Sequence, residues 1–318
     1  MKRHQQILLG VLVVQVILTA VVFWPREAAV SSGELLFPEL TTDDIVALTV
    51  IDNAGEEITL RKVDGTWVLP DGGNYPVKES TITPVLEKIV ALDTATLVAR
   101  TESSHKALQV SDDTFQRRLD IETAEGERHT IFVGSAPRYT ATHFRVAGQP
   151  ETYLTSGLST WELNPAASGW IDTAYTDVDA ETLTSVVLEN GQGVVTLVKD
   201  GENWTLADLA EDETIATTKT NAIVRNATGL SMMRPLGKTE EEAYGMASPN
   251  AVVTLEAEDG GTYVLMIGAI DPADNSYVAK YSESPYYVRV QEFNVKAMVE
   301  NSREDFLTVP ATPTPASE

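Results

Sequence analysis

The residues able to do chemistry here are few or poorly spaced. The chain has four histidines, His4, His105, His129 and His143. No two stand at the H-x-x-x-H or H-E-x-x-H spacing that sets two imidazoles on one helix face, so they specify no zinc centre. Carboxylates are abundant, with 47 Asp plus Glu against 23 Lys plus Arg. At that density a hydrolytic carboxylate pair acquires meaning only from geometry. One acidic loop, Asp271-Pro-Ala-Asp274-Asn275-Ser276, gathers the hard oxygen ligands that calcium takes. It lacks the full EF-hand spacing and the distal Glu, and Asp-Pro and Asp-Asn are ordinary turn formers. There is no G-x-S-x-G elbow, Walker A loop or G-x-G-x-x-G. Ser156-Gly157 and Ser168-Gly169 read as turns, and Gly191-Gln-Gly193 as a hairpin turn. Cysteine is absent, which excludes disulfides, thiolate nucleophiles and Cys-held zinc. The expectation is no catalytic, cofactor-binding or metal-binding residue.

Charge and the N-terminus bound the setting. A net charge of -24 repels phosphate backbones, so nucleic acid is not an expected partner. Lys2 and Arg3 precede an uncharged run in which Ile7 to Trp24 reads ILLGVLVVQVILTAVVFW. Eighteen helical residues rise about 27 Å, close to the hydrocarbon thickness of a bilayer. Thirteen of them are Ile, Leu, Val or Phe, together favouring insertion by about 4 to 8 kcal/mol. The basic residues put the N-terminus in the cytoplasm, and Phe23 and Trp24 suit the far interface. A single-pass anchor over residues 1–25, in contact with membrane lipid, is expected, with the body outside the cytoplasm. A signal peptide cleaved near Ala29-Val30-Ser31 is the competing reading. Residues 26–44 read as a linker, and 308–318 as a disordered Pro/Thr tail.

The body that any site must be built on is written twice. Ile45–Ile51, Glu57–Lys62 and Asp64-Gly-Thr-Trp67 correspond to Leu183–Glu189, Val194–Lys199 and Asp200-Gly-Glu-Asn-Trp204. Each set reads as an alternating hairpin followed by a short strand that begins with Trp. Helices are expected over Ser80–Leu92, with Pro84 suited to a helix start, and over Thr218–Leu230. His105–Val110 and Glu242–Met246 occupy matching positions. Arg118–Gly134 aligns without a gap to Val252–Gly268, two strands around an acidic Gly turn. Gly134 and Gly268 are expected to permit a positive φ or a bulge. His143–Val146 parallels Tyr277–Lys280, and Glu151–Leu154 parallels Tyr286–Arg289. An amphipathic helix closes each copy, near Leu158–Leu163 and near Phe293–Val299. The expected fold class is α+β, with tandem mainly antiparallel units over 45–172 and 183–307.

On these hairpin-Trp openings and Gly-terminated strand pairs, behind an anchor, the chain resembles the bacterial domain of unknown function 4340 family. The resemblance covers nearly all of residues 45–307. That family is associated with ABC transport systems of the gliding-motility auxiliary type, which implies an accessory role outside the membrane. It has no established catalytic residues to carry over. The expected function is therefore a membrane-anchored, non-catalytic accessory or binding module with an envelope or transporter protein as partner. The alternatives are an exported glycan-directed hydrolase using carboxylates between the copies, or a purely structural envelope protein.

Overall fold

A computed structural model describes residues 33–308. The run Ile7–Trp24, His4 and the tail 309–318 lie outside the described residues. Among the described residues, no helix is long and apolar enough to cross a membrane.

The fold is α+β. The first half contributes β1 (Ile45–Asp52), β2 (Glu57–Val63), β3 (Thr66–Leu69), β4 (Tyr75–Pro76), β5 (Leu97–Ala99), β6 (Arg117–Thr123), β7 (Arg128–Val133), β8 (Thr142–Val146) and β9 (Thr152–Thr155). Helices α1 (Glu79–Val90) and α2 (His105–Leu108) interrupt them. The second half contributes β10 (Leu183–Asn190), β11 (Gly193–Asp200), β12 (Asn203–Leu206), β13 (Met232–Gly237), β14 (Ala251–Ala257), β15 (Thr262–Ile270), β16 (Tyr277–Tyr281) and β17 (Tyr287–Val290). Its helices are α3 (Thr217–Thr228) and α4 (Glu292–Glu300). The spatial orders are β4-β3-β2-β1-β6-β7-β8-β9-β5 and β12-β11-β10-β14-β15-β16-β17-β13. Leaving out the two-residue β4, they coincide strand for strand.

The register agrees as well as the order. Trp67 stands opposite Lys62, and Trp204 opposite Lys199. A bulge between Ile45 and Ala47 recurs between Leu183 and Ser185. Period-2 alternation turns Leu119 and Ile121 inward on β6, and Val253 and Leu255 on β14. Helix α1 covers its sheet with Ile82, Val85, Leu86 and Ile89, and α3 covers the other with Ile223, Val224 and Ala227. One continuous apolar cluster spans both halves, from Ile45 to Phe306.

Several local expectations differ from what forms. Helix α1 starts at Glu79 and carries Pro84 inside it. Pro84 lies on the exposed face with Ser80, so the Ser80 carbonyl that loses its i+4 partner can turn to water. The segment 158–163 forms only a 3-10 turn, Thr160–Glu162, closed by a Ser159–Glu162 capping box. Pro165 follows at once and disfavours a helical Asn164. The second closing helix, α4, is a true α-helix. Strands β5 and β13 match no expected strand, yet each completes the far end of its sheet beside β9 or β17. From Gly33 on, the stretch expected as linker lies against the first half. Leu36 N–H donates to the Leu92 carbonyl, Thr94 N–H to the Glu34 carbonyl, and the Phe37 ring meets His129 at 4.6 Å.

Candidate functional site

The two halves meet where the turn after β3 rests on the edge strand β13. A Cβ on Gly72 would sit 2.5 Å from the Pro235 Cγ, and one on Gly73 would sit 2.8 Å from the Gly237 Cα. The contact therefore requires hydrogen where other residues carry a side chain. Beside it the rings of Tyr75 and Tyr286 meet edge-on at 4.7 Å, and the Tyr286 hydroxyl donates to the Asn74 carbonyl at 3.3 Å. Edge strands invite pairing with foreign strands. Here Pro235, two register shifts and the first half's turn blunt that edge.

At this junction lies a groove of about 690 Å³, lined from both halves. Its apolar lining includes Ile58, Leu69, Met232 and Met233. Glu56, Glu57, Asp71 and Asp274 bring four carboxylates to it, against the single guanidinium of Arg234. Ser276, whose backbone N–H donates to Asp274 Oδ1 at 2.9 Å, holds the Asp274 carboxyl below the usual carboxylate range. An acid held low stays ionised at neutral pH, which suits charge recognition and not proton donation. Gln291 and Asn294 line the same groove, and between them Phe293 leaves 71% of its surface exposed.

The residues singled out in the sequence fall elsewhere. His105 is buried and its Nε2 meets the Pro150 carbonyl at 2.9 Å. His129 is half-buried on β7, with Glu127 at 3.8 Å. His143 is buried, and its Nδ1 meets the Ser135 hydroxyl at 3.1 Å. That Ser-His pair was not visible in the sequence, because the return from β7 to β8 creates it. The Ser135 hydroxyl also reaches the Leu108 carbonyl at 3.1 Å, so the trio ties α2 to the strands. Among the described residues, no carboxylate is hydrogen-bonded to His143 to orient it, as a nucleophile's base would be.

The Asp271–Ser276 loop uses its oxygens internally. Asp271 Oδ1 accepts from Ala273 N–H at 3.0 Å, and Asp274 Oδ1 accepts from Ser276 N–H at 2.9 Å. Arg289 pairs with Asp271 Oδ2 at 3.3 Å, supplying the positive charge that a cation would bring. Among the described residues, no three His, Asp or Glu side chains gather into a group able to hold a metal.

No curated protein and no solved structure matches the chain. Residues 67–249 match the family described as Domain of unknown function (DUF4340). The match begins at Trp67, takes in part of the groove lining, with Glu56, Glu57 and Asp274 outside it, and ends just before β14. It covers more than half of the 318 residues, and on that extent the chain belongs to the DUF4340 family.

Proposed function

We propose that the chain is a membrane-anchored, extracytoplasmic accessory module that binds another envelope protein and catalyses nothing. A component of an ABC-type transport complex is the partner that fits best. The observation that carries this reading is the junction groove, whose apolar lining and four carboxylates suit docking, with Phe293 exposed next in sequence to its lining residue Asn294. The charged lining steers basic partners and makes binding weaken as salt rises. The run Ile7–Trp24 supports anchoring, since a tether holds the body near membrane partners and lets modest affinity suffice. The family association points the same way, toward transport machinery.

A photo-crosslinking amino acid placed at Phe293 in intact cells tests the docking face. Val194, also exposed, serves as the control position. The expected result is one membrane-protein adduct from position 293, diminished by salt in isolated membranes and absent from position 194. Equal crosslinking from both positions, or turnover of a glycan library by the intact protein, would end this reading.

A further inference from the structure

Four tyrosines from both halves converge on a second cleft at the junction, separate from the docking groove. Its volume is about 440 Å³, and Tyr75, Tyr175, Tyr281 and Tyr286 line it together with Asp172 and Glu283. Tyr75 and Tyr286 are edge-on at 4.7 Å and 65°, and Tyr175 and Tyr281 are edge-on at 6.2 Å and 68°. The Tyr175 hydroxyl fixes the second pair: it donates to the Tyr286 carbonyl at 2.7 Å and accepts from Tyr281 N–H at 2.8 Å. The rings are thus held by the fold before any ligand arrives.

Aromatic faces carry negative quadrupole charge, and several of them around a small cleft favour a soft cation. Two exposed carboxylates strengthen that preference, and among the described residues that line the cleft Lys78 is the one cation. Burial first, then Asp172, raises the Tyr75 phenol, and burial first, then Glu283, pushes Tyr281 up to about 12. Both carboxylates are therefore felt inside the cleft. On Tyr286 the Lys238 ammonium already sits over the ring, 4.8 Å from its centroid, showing that this ring accepts a cation.

We propose that the cleft lined by Tyr75, Tyr175, Tyr281 and Tyr286 binds a quaternary ammonium group, with Asp172 and Glu283 as counter-charges. A trimethylammonium group is large, weakly hydrated and free of donors, so aromatic faces serve it where hydrogen-bonding sites do not. Both a free small molecule and a choline lipid headgroup carry this chemistry.

The test is titration of the full chain in detergent with choline chloride, followed by intrinsic tyrosine and tryptophan fluorescence. The neutral isostere 3,3-dimethylbutanol serves as the control. Choline is expected to saturate, and the isostere to bind at least about tenfold more weakly. Glu283→Gln, an exposed change, should weaken choline several-fold, and Tyr75→Leu should abolish saturation while Tyr75→Phe keeps it. Nanodiscs with phosphatidylcholine or with phosphatidylglycerol separate the sources: competition by the first alone assigns the lipid headgroup, and by neither the free molecule. Equal binding of choline and isostere, or no effect of Glu283→Gln and Tyr75→Leu, would overturn the proposal. So would saturation that appears only in Lys238→Ala, because the rings would then serve that lysine.

Discussion

Gly73 and Gly237 face each other across the junction, the first at φ +70° and the second at φ +112°, with 2.8 Å between a would-be Gly73 Cβ and the Gly237 Cα. The two positions are not equivalent in what they tolerate. A Cβ on Gly237 would come no nearer than 4.0 Å to Gly73, so alanine there meets only backbone strain. Alanine at Gly73 meets strain and a backbone collision. Left-handed strain costs about 1–3 kcal/mol, and overpacking adds about 1–3 kcal/mol more. Urea midpoints should therefore rank wild type above Gly237→Ala and Gly237→Ala above Gly73→Ala. The reverse order would mean that the halves separate cheaply.

Gly134 and Gly268 form a second related pair, and here the expected reason for glycine was partly wrong. Neither has a positive φ. A Cβ on Gly134 would lie 2.3 Å from the Leu108 carbonyl oxygen, and one on Gly268 would lie 2.1 Å from that of Tyr244. In both halves a short helical segment packs its backbone directly on the strand, and only hydrogen fits between. A register shift next to Gly268 accords with the expected bulge. Gly134→Ala and Gly268→Ala should each lose about 1–3 kcal/mol. Gly191, with nothing within 4 Å and no positive φ, should accept alanine with little change. Chemical denaturation of the three variants decides it.

The long hairpins were legible because alternation, an acidic Gly turn and a Trp recur at fixed spacing in both halves. Period-2 alternation specifies a face, and the face specifies the register. Strands β5 and β13 were not legible. Leu97–Ala99 has three residues, and Met232–Gly237 contains Pro235 and ends in Gly237. Neither carries a local strand signal, and both exist because a sheet end stands ready to receive them. The groove was invisible for a related reason. Glu56 and Asp274 are more than two hundred positions apart and meet only after the turn after β3 docks on β13. The tyrosine cleft draws on positions 75, 175, 281 and 286, with no spacing a motif could express. Pro84 misled because propensity disfavours it within a helix, while four buried side chains on α1 outweigh one lost hydrogen bond.

Trp67 and Trp204 are both buried, 8% and 5% exposed, at the same register position of their sheets. Each belongs to the continuous core that α1 or α3 completes. Truncation to alanine leaves a cavity that the backbone cannot collapse into, so each should cost about 3–5 kcal/mol. The two losses should be similar in single variants, because the environments correspond. Calorimetry would read this directly, and a loss near zero at either position would deny it a core role.

Arg303 ties the C-terminal end of the second half to the loop before α3. Its guanidinium forks onto Glu213, at 2.7 Å to Oε1 and 2.6 Å to Oε2, and donates to Asp208 at 2.8 Å. That fork, aided by Ala210 N–H, holds the Glu213 carboxyl down from 4.5 to about 2. In the unfolded chain the same carboxyl takes up a proton near its ordinary value. Between about 4.5 and about 2 the unfolded state therefore binds more protons at this site than the folded state. The stabilisation is complete above 4.5 and is lost as pH falls toward 2. Both partners are near the surface, so salt screening reduces the effect. Thermal unfolding midpoints at pH 6, 4.5, 3 and 2.5 should fall more steeply for the wild type than for Arg303→Ala or Glu213→Gln. The gap between wild type and variants should close as pH approaches 2, and the other carboxylates titrate alike in all three proteins. Parallel curves across that window would mean that the fork contributes nothing to acid sensitivity.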